Sequence, residues 1–115
     1  MINNQEYINL IDDVFKVIKD FSLLKNKKIL IIGSTGTIGS FFVDTLMRRN
    51  ELYNENITIY AGSRTKENIE NRFKEYENSN LFIPYPFDIT KNTNIDIEVD
   101  YIVHAGSDSY PASFQ

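Results

Sequence analysis

A chain of 115 residues, 42% hydrophobic and 24% charged, is long enough for one globular domain and no more. Its net charge of -4, with basic residues scattered apart from Lys25, Lys27 and Lys28, argues against general nucleic-acid binding. The absence of cysteine rules out disulfides and thiolate metal sites. No apolar run approaches the roughly 18 residues of a membrane span. Asp12 and Asp13 break the N-terminal apolar pattern where a signal peptide would need continuity, so a cytoplasmic location is the expectation.

The first 24 residues read as a helix. Tyr7, Leu10, Ile11, Val14, Ile18 and Phe21 recur at three- and four-residue intervals, with charges between them. Such a stripe needs a surface to pack on, so residues 1–26 are expected to form a helix and turn lying against a domain that occupies 27–115. Ile29 to Ile32 is a continuously apolar strand of the kind buried on both faces of a parallel sheet. The segment "GSTGTIG" follows, and then Ile38, Phe42, Val43 and Leu46 as one helical face. Arg48 and Arg49 suit the negative end of that helix, and Asn50 is expected to open the exit loop.

Residues 57–61, "ITIYA", form a second strand. Thr65 can cap a further helix carrying Ile69, Phe73 and Tyr76 on one side. In "LFIPYPFDI", Pro84 and Pro86 are two apart, so their missing N–H groups fall on one side, which marks an edge strand. "YIVHA", 101–105, reads as another buried strand, in which the lone His104 is expected to be a packed residue. Asp96, Glu98 and Asp100 before it are expected to be a solvated stretch, since the glycine and remaining ligands of a calcium loop are missing. Alternation of strands and helices implies an α/β fold with right-handed crossovers and a parallel sheet. An edge position for the third strand gives the order 3-2-1-4, half of a Rossmann-like, doubly wound fold.

The glycine segment carries the chemistry. A helix that starts directly after a buried strand presents free N–H groups and the positive end of its dipole. Glycines let an anionic group approach that backbone without meeting a Cβ. Ser40, not lysine, follows Gly39, so the phosphate-loop pattern of nucleoside triphosphatases fails. The bland alternative is that the glycines only allow helix and strand to pack closely.

The G-x-x-G-x-x-G spacing of Gly33, Gly36 and Gly39 resembles that of the extended short-chain dehydrogenase/reductases, in particular their nucleotide-sugar epimerase/dehydratase branch. "ITIYAGSR", "PFDIT" and "DYIVHAGS" are similar to the later strand ends of that family, in the same order. The resemblance implies that Gly33, Thr35, Gly36, Thr37, Ile38 and Gly39 line a dinucleotide pyrophosphate. It implies that Asp88 and Ile89 border the adenine, and that Ala105, Gly106 and Ser107 border the ribose on the nicotinamide side. Read without the resemblance, Asp88 is a turn cap at a strand end. Gly106 and Ser107 depart from the alanines usual in the family's turn.

An acidic residue about 20 positions after the glycines would hold both ribose hydroxyls of NAD. Gly62, Ser63 and Arg64 end the second strand instead, and no carboxylate comes before Glu67. A hydroxyl and a guanidinium suit a 2′-phosphate, which favours NADP over NAD. The other role open to Arg64 is stacking on adenine, or plain solvation.

The family's Tyr-x-x-x-Lys pair is missing. The residues four positions after the seven tyrosines are Ile11, Ile57, Arg64, Asn80, Ile89, Ala105 and Phe114. The expectation is therefore the N-terminal, cofactor-binding portion of an NAD(P)-dependent oxidoreductase, without catalytic residues of its own. Its nucleotide-sugar substrate would be met only in a longer protein. The alternative is a non-enzymatic NAD(P)-sensing module. The open edge of the fourth strand is expected to pair with a second copy.

Overall fold

A computed structural model describes residues 5–9, 21–88, 91 and 94–105. Its centre is a four-stranded, all-parallel sheet in the order β3-β2-β1-β4. The strands are β1 (Lys28–Ile32), β2 (Thr58–Ser63), β3 (Phe82–Pro86) and β4 (Tyr101–His104). Two helices make the crossovers, α1 (Thr37–Tyr53) between β1 and β2, and α2 (Lys66–Arg72) between β2 and β3. Short 3-10 turns at Phe21–Leu24 and Lys74–Tyr76 complete the frame. The α/β class and the strand order agree with the expectation from sequence.

Both helices pack on one face of the sheet. Ile29, Ile31, Ile59 and Ala61 point there by the two-residue period of a strand, and meet Val43, Leu46 and Met47 of α1 and Ile69 of α2. Phe73, Tyr76 and Phe82 close the far end, their rings 5.3 to 6.0 Å apart. Thr65 caps α2 as expected, its Oγ1 accepting the Asn68 N–H at 3.1 Å.

The second face bears Leu30, Ile32 and Phe87, and residues 94–100 of the connection from β3 to β4 run over it in non-helical conformation. Ile95, Ile97 and Val99 turn inward onto this face while Asp96, Glu98 and Asp100 stay exposed. The three carboxylates are therefore the outer half of an alternating segment whose inner half is apolar.

β3 is the protected edge. The Phe87 N–H bonds to the Ser63 carbonyl at 2.7 Å, so alternate positions, among them Pro84 and Pro86, turn their nitrogens away from β2. Residues 5–9 are helical, and Tyr7 lies on α1, edge-on to Phe41 with centroids 5.9 Å apart. Leu10, Ile11, Val14 and Ile18 of the proposed stripe lie outside the described residues.

Three expectations need correction. α1 does not end before Asn50 but runs to Tyr53, with Asn54 in the left-handed conformation as its C-cap. Asn50 is buried within it, donating from Nδ2 to the Ile57 carbonyl and accepting the Ile57 N–H at Oδ1, both at 2.8 Å. This amide stands in for a strand partner just before β2. Arg48 and Arg49 are correspondingly a turn inside the helix, and Arg49 pairs with the buried Glu55 and lies over Tyr53. Replacing Asn50 with alanine leaves both Ile57 backbone groups unpaired in the core. It is expected to cost about 1–3 kcal/mol in a urea titration.

Second, Ile38 and Phe42 do not share the buried face of Val43 and Leu46; they are 51% and 40% exposed. Close approach of Gly39 to the turn below fixes the rotation of α1, and Ile38, about 100° round the helix, turns outward. Third, β4 is not a buried strand. Tyr101 and Ile102 are half-exposed and His104 is exposed rather than packed, because among the described residues β4 has a neighbour on one side only.

Candidate functional site

Parallel strands bring every strand-ending segment to the same edge of the sheet. The glycine turn after β1, Ser63 and Arg64 at the end of β2, Asp88 after β3 and Ala105 after β4 therefore lie along one border. β1 is central in this border, with the chain leaving it to β2 on one side and returning to β4 on the other. That reversal of direction is where open α/β sheets have a crevice.

The turn itself is built tightly. Gly33 has φ 83°, a conformation that side chains with a Cβ rarely adopt. The N–H groups of Gly33 and Ser34 both donate to the Gly62 carbonyl at 2.9 Å, which fastens the turn to the end of β2. Gly36 donates to the Gly33 carbonyl at 3.1 Å and serves as the N-cap of α1, in extended conformation and without a side-chain cap bond. The first intrahelical bond at this end runs from Ser40 N–H to the Gly36 carbonyl, 2.9 Å. Helix geometry thus leaves the N–H groups of Thr37, Ile38 and Gly39 without intrahelical acceptors, at the positive end of a 17-residue helix.

The glycines do different work. A Cβ on Gly39 would stand 2.0 Å from the Gly33 carbonyl oxygen and 2.9 Å from the Ser34 Cα. Gly39 is therefore required by internal packing. A Cβ on Gly36 would meet only the Gly33 oxygen, at an ordinary 3.5 Å. Nothing inside the protein demands a glycine at 36, which is exposed at the mouth of the turn together with Thr37.

The β2 end adjoins this mouth. Thr35 Oγ1 and Ser63 Oγ are 3.0 Å apart, a hydroxyl pair linking turn and strand. Arg64 is exposed, and its guanidinium engages no described residue. Glu67, the first carboxylate after β2, lies in the first turn of α2, where it complements that helix's dipole. Asp88 is half-buried, with its carbonyl accepting the Lys91 N–H at 3.0 Å. The Ala105 N–H donates to the Ile32 carbonyl at 2.8 Å, holding the β4 end beside the turn. Ile89, Gly106 and Ser107 lie outside the described residues.

Two residues that matter here escaped sequence reasoning. Ser34 is fully buried in the turn, and its Oγ has no hydrogen-bond partner among the described residues. Asp44, 1% exposed, accepts from Tyr7 Oη at 2.8 Å, from Tyr76 Oη at 2.6 Å and from Arg72 at 3.0 Å. It ties α1 to both α2 and the N-terminal helical residues, and so steadies the helix whose N-terminus faces the site. The signal for Asp44 was an acid set between Val43 and Leu46, two residues of the helix's apolar face.

A concavity among the described residues lies elsewhere. A shallow cleft of about 260 Å³ lies between the C-terminal half of α1 and the 75–81 segment, floored by Met47, Tyr76 and Leu81. It is at the opposite edge of the sheet, and its Arg48 is already bridged to Glu51 at 3.4 Å. Among the described residues no group of His, Asp and Glu could hold a metal ion, and no helix is long and apolar enough to cross a membrane. No protein-family profile, curated protein or solved structure matches this chain.

Proposed function

We propose that the chain binds the pyrophosphate of a dinucleotide at the 33–39 turn, as the Rossmann-like, cofactor-binding half of an NAD(P)-dependent oxidoreductase resembling the nucleotide-sugar epimerase/dehydratase branch. The supporting observation is the contrast between two glycines. Gly39 is needed by the fold, whereas Gly36 has room for a methyl group and faces outward at an uncapped helix N-terminus. A glycine that the interior does not need is explained by something approaching from outside. An anion close to the backbone fits, because it would accept the free N–H groups and meet the positive end of α1.

In this reading Ser63 and Arg64 lie beside the adenosine ribose. With Glu67 committed to the start of α2, the nearest polar groups are a hydroxyl and a cation, which favours a 2′-phosphate and hence NADP. Asp88 and Ala105, at the flanking strand ends, border the adenine and the second ribose. Hydride transfer belongs to the bound nicotinamide. These 115 residues contain no Tyr-x-x-x-Lys pair, so no turnover is expected from them alone.

Calorimetric titration with NADP and NAD in parallel tests the reading. NADP is expected to bind more tightly, and Arg64→Ala to remove about tenfold of that preference, the size of one charge-assisted contact. Gly36→Ala is expected to retain the native melting temperature while losing binding of both dinucleotides. A Gly36→Ala protein that binds as the parent does would leave the turn a packing device, and the proposal would fail.

A further inference from the structure

We propose that residues 10–20 continue the helix begun at 5–9 and dock parallel to α1, on the side of α1 turned away from the sheet. The register sets Ile11 on Thr45, Val14 on Arg48 and Ile18 on Leu52. This is independent of the dinucleotide reading. α1 is apolar on two sides. Besides the residues that meet the sheet, Phe41, Thr45 and Leu52 recur along its outer side, with Arg48 between the last two. Arg48 turns its guanidinium to Glu51 at 3.4 Å, which leaves its methylene stem to that side. Thr45 stands about 160° round the helix from Val43, which faces the sheet, yet it is only 5% exposed. The outer side of α1 is therefore a covered one.

The points where the N-terminal segment enters and leaves select it as the occupant. It enters at Tyr7, whose ring stands edge-on to Phe41 at 5.9 Å and whose Oη donates to Asp44 at 2.8 Å. Gln5 Nε2 donates to Asn9 Oδ1 at 2.9 Å in solvent; both residues are about 160° from Tyr7 round the helix, so the side of Tyr7 is the side on α1. Leu10, Ile11, Val14 and Ile18 fall within about 60° of Tyr7 on the same helix. The segment leaves through the turn at Phe21–Leu24, after which the Asn26 N–H donates to the Glu55 carbonyl at 2.9 Å, just past the end of α1. Residues 9–21 as helix rise about 18 Å, and so do residues 41–53 of α1, so the segment spans the distance between its two fixed ends. The spacing of Tyr7, Ile11, Val14 and Ile18 also matches that of Phe41, Thr45, Arg48 and Leu52 step for step. That alternation of four and three is the pattern of helices packed side by side at a shallow angle. α1, with the glycine turn at its N-terminus, is thereby held between the sheet and an outer helix.

The test uses the chain's lack of cysteine. Two double variants share Ile18→Cys and differ in the second site, Leu52→Cys or Ile38→Cys. Leu52 and Ile38 are both exposed on α1, at 44% and 51%, and lie about 21 Å apart along it. In dilute protein with oxidised glutathione, the Ile18→Cys/Leu52→Cys chain is expected to close an internal disulfide about tenfold faster, because docking holds those thiols at high effective concentration. A second pair of variants reads the face. Ile11→Asp sets a carboxylate on the covered Thr45, beside Asp44, and is expected to lower the melting temperature by roughly 10 °C. Lys16→Asp, about 180° from Tyr7 on the same helix, is expected to change it by no more than about 2 °C. Equal closure of the two disulfides, disulfides formed between molecules instead of within one, or equal melts of Ile11→Asp and Lys16→Asp would each overturn the proposal.

Discussion

Replacing Gly39 with alanine is expected to destabilise this protein more than any other single methyl group could. The added Cβ would stand 2.0 Å from the Gly33 carbonyl oxygen, 2.7 Å from its carbon and 2.9 Å from the Ser34 Cα. All three are backbone atoms, so no side chain can swing aside. Relief requires α1 to lift from the turn, which disturbs the bonds of Gly33 and Ser34 to the Gly62 carbonyl and the seating of Val43, fully buried a turn later. Overpacking of this kind costs roughly 3 kcal/mol or more, a large part of the stability of a domain this size. A melting temperature lower by roughly 12 to 24 °C would follow. A loss below about 1 kcal/mol would mean that helix and strand are not in such close contact. Gly36→Ala, three residues away, is expected to leave the melt unchanged, so the pair separates the glycine that the fold needs from the one that a ligand needs.

Asp44→Ala is the second large effect. The carboxylate is the common acceptor for two phenols and a guanidinium, and its removal strands all three. Taking one partner from a buried charged cluster costs about 3–5 kcal/mol; because the Arg72 side chain is 36% exposed and can recover some hydration, the lower end is expected. Tyr76→Phe and Tyr7→Phe should each cost about 1 kcal/mol, Tyr76 more because it is nearly buried. Tyr7→Phe should also raise proteolysis within residues 5–9, since the hydroxyl is one of their ties to α1.

The same cluster predicts behaviour in alkali. Burial, reinforced by the neighbouring Asp44 carboxylate and its hydrogen bonds, pushes the phenols of Tyr7 and Tyr76 above their ordinary value of 10.0. As pH rises past that value the unfolded chain releases these protons while the folded chain keeps them. Their contribution is therefore full below about pH 10 and declines above it. Thermal melts between pH 9 and 11 should show a falling melting temperature, with a shallower fall in Tyr76→Phe. Parallel slopes for the two proteins would remove Tyr76 from the account.

What the sequence determined by itself was set by local rules. A four-residue apolar run, a glycine turn and a 3.6-period helix state their own structure. Thr65 caps the helix it precedes, and two prolines at a spacing of two mark an edge because a missing N–H is a local fact. From these came the α/β class, the order 3-2-1-4 and the border that gathers Gly36, Ser63, Arg64, Asp88 and Ala105. The tertiary structure decided matters that depend on partners distant in the chain. Asn50 looked like a loop residue until its amide met Ile57, and Asp44 drew no reading at all until Tyr7, Arg72 and Tyr76 converged on it. Periodicity marked 37–53 as a helix with an apolar face, and grouped Ile38 and Phe42 with Val43 and Leu46. It could not tell which face turns inward, because that rotation is fixed by the contact of Gly39 with Gly33 and not by the apolarity of Ile38 or Phe42. Likewise the apolar composition of β4 promised burial, but burial is conferred by neighbours, and among the described residues the sheet supplies β4 with one.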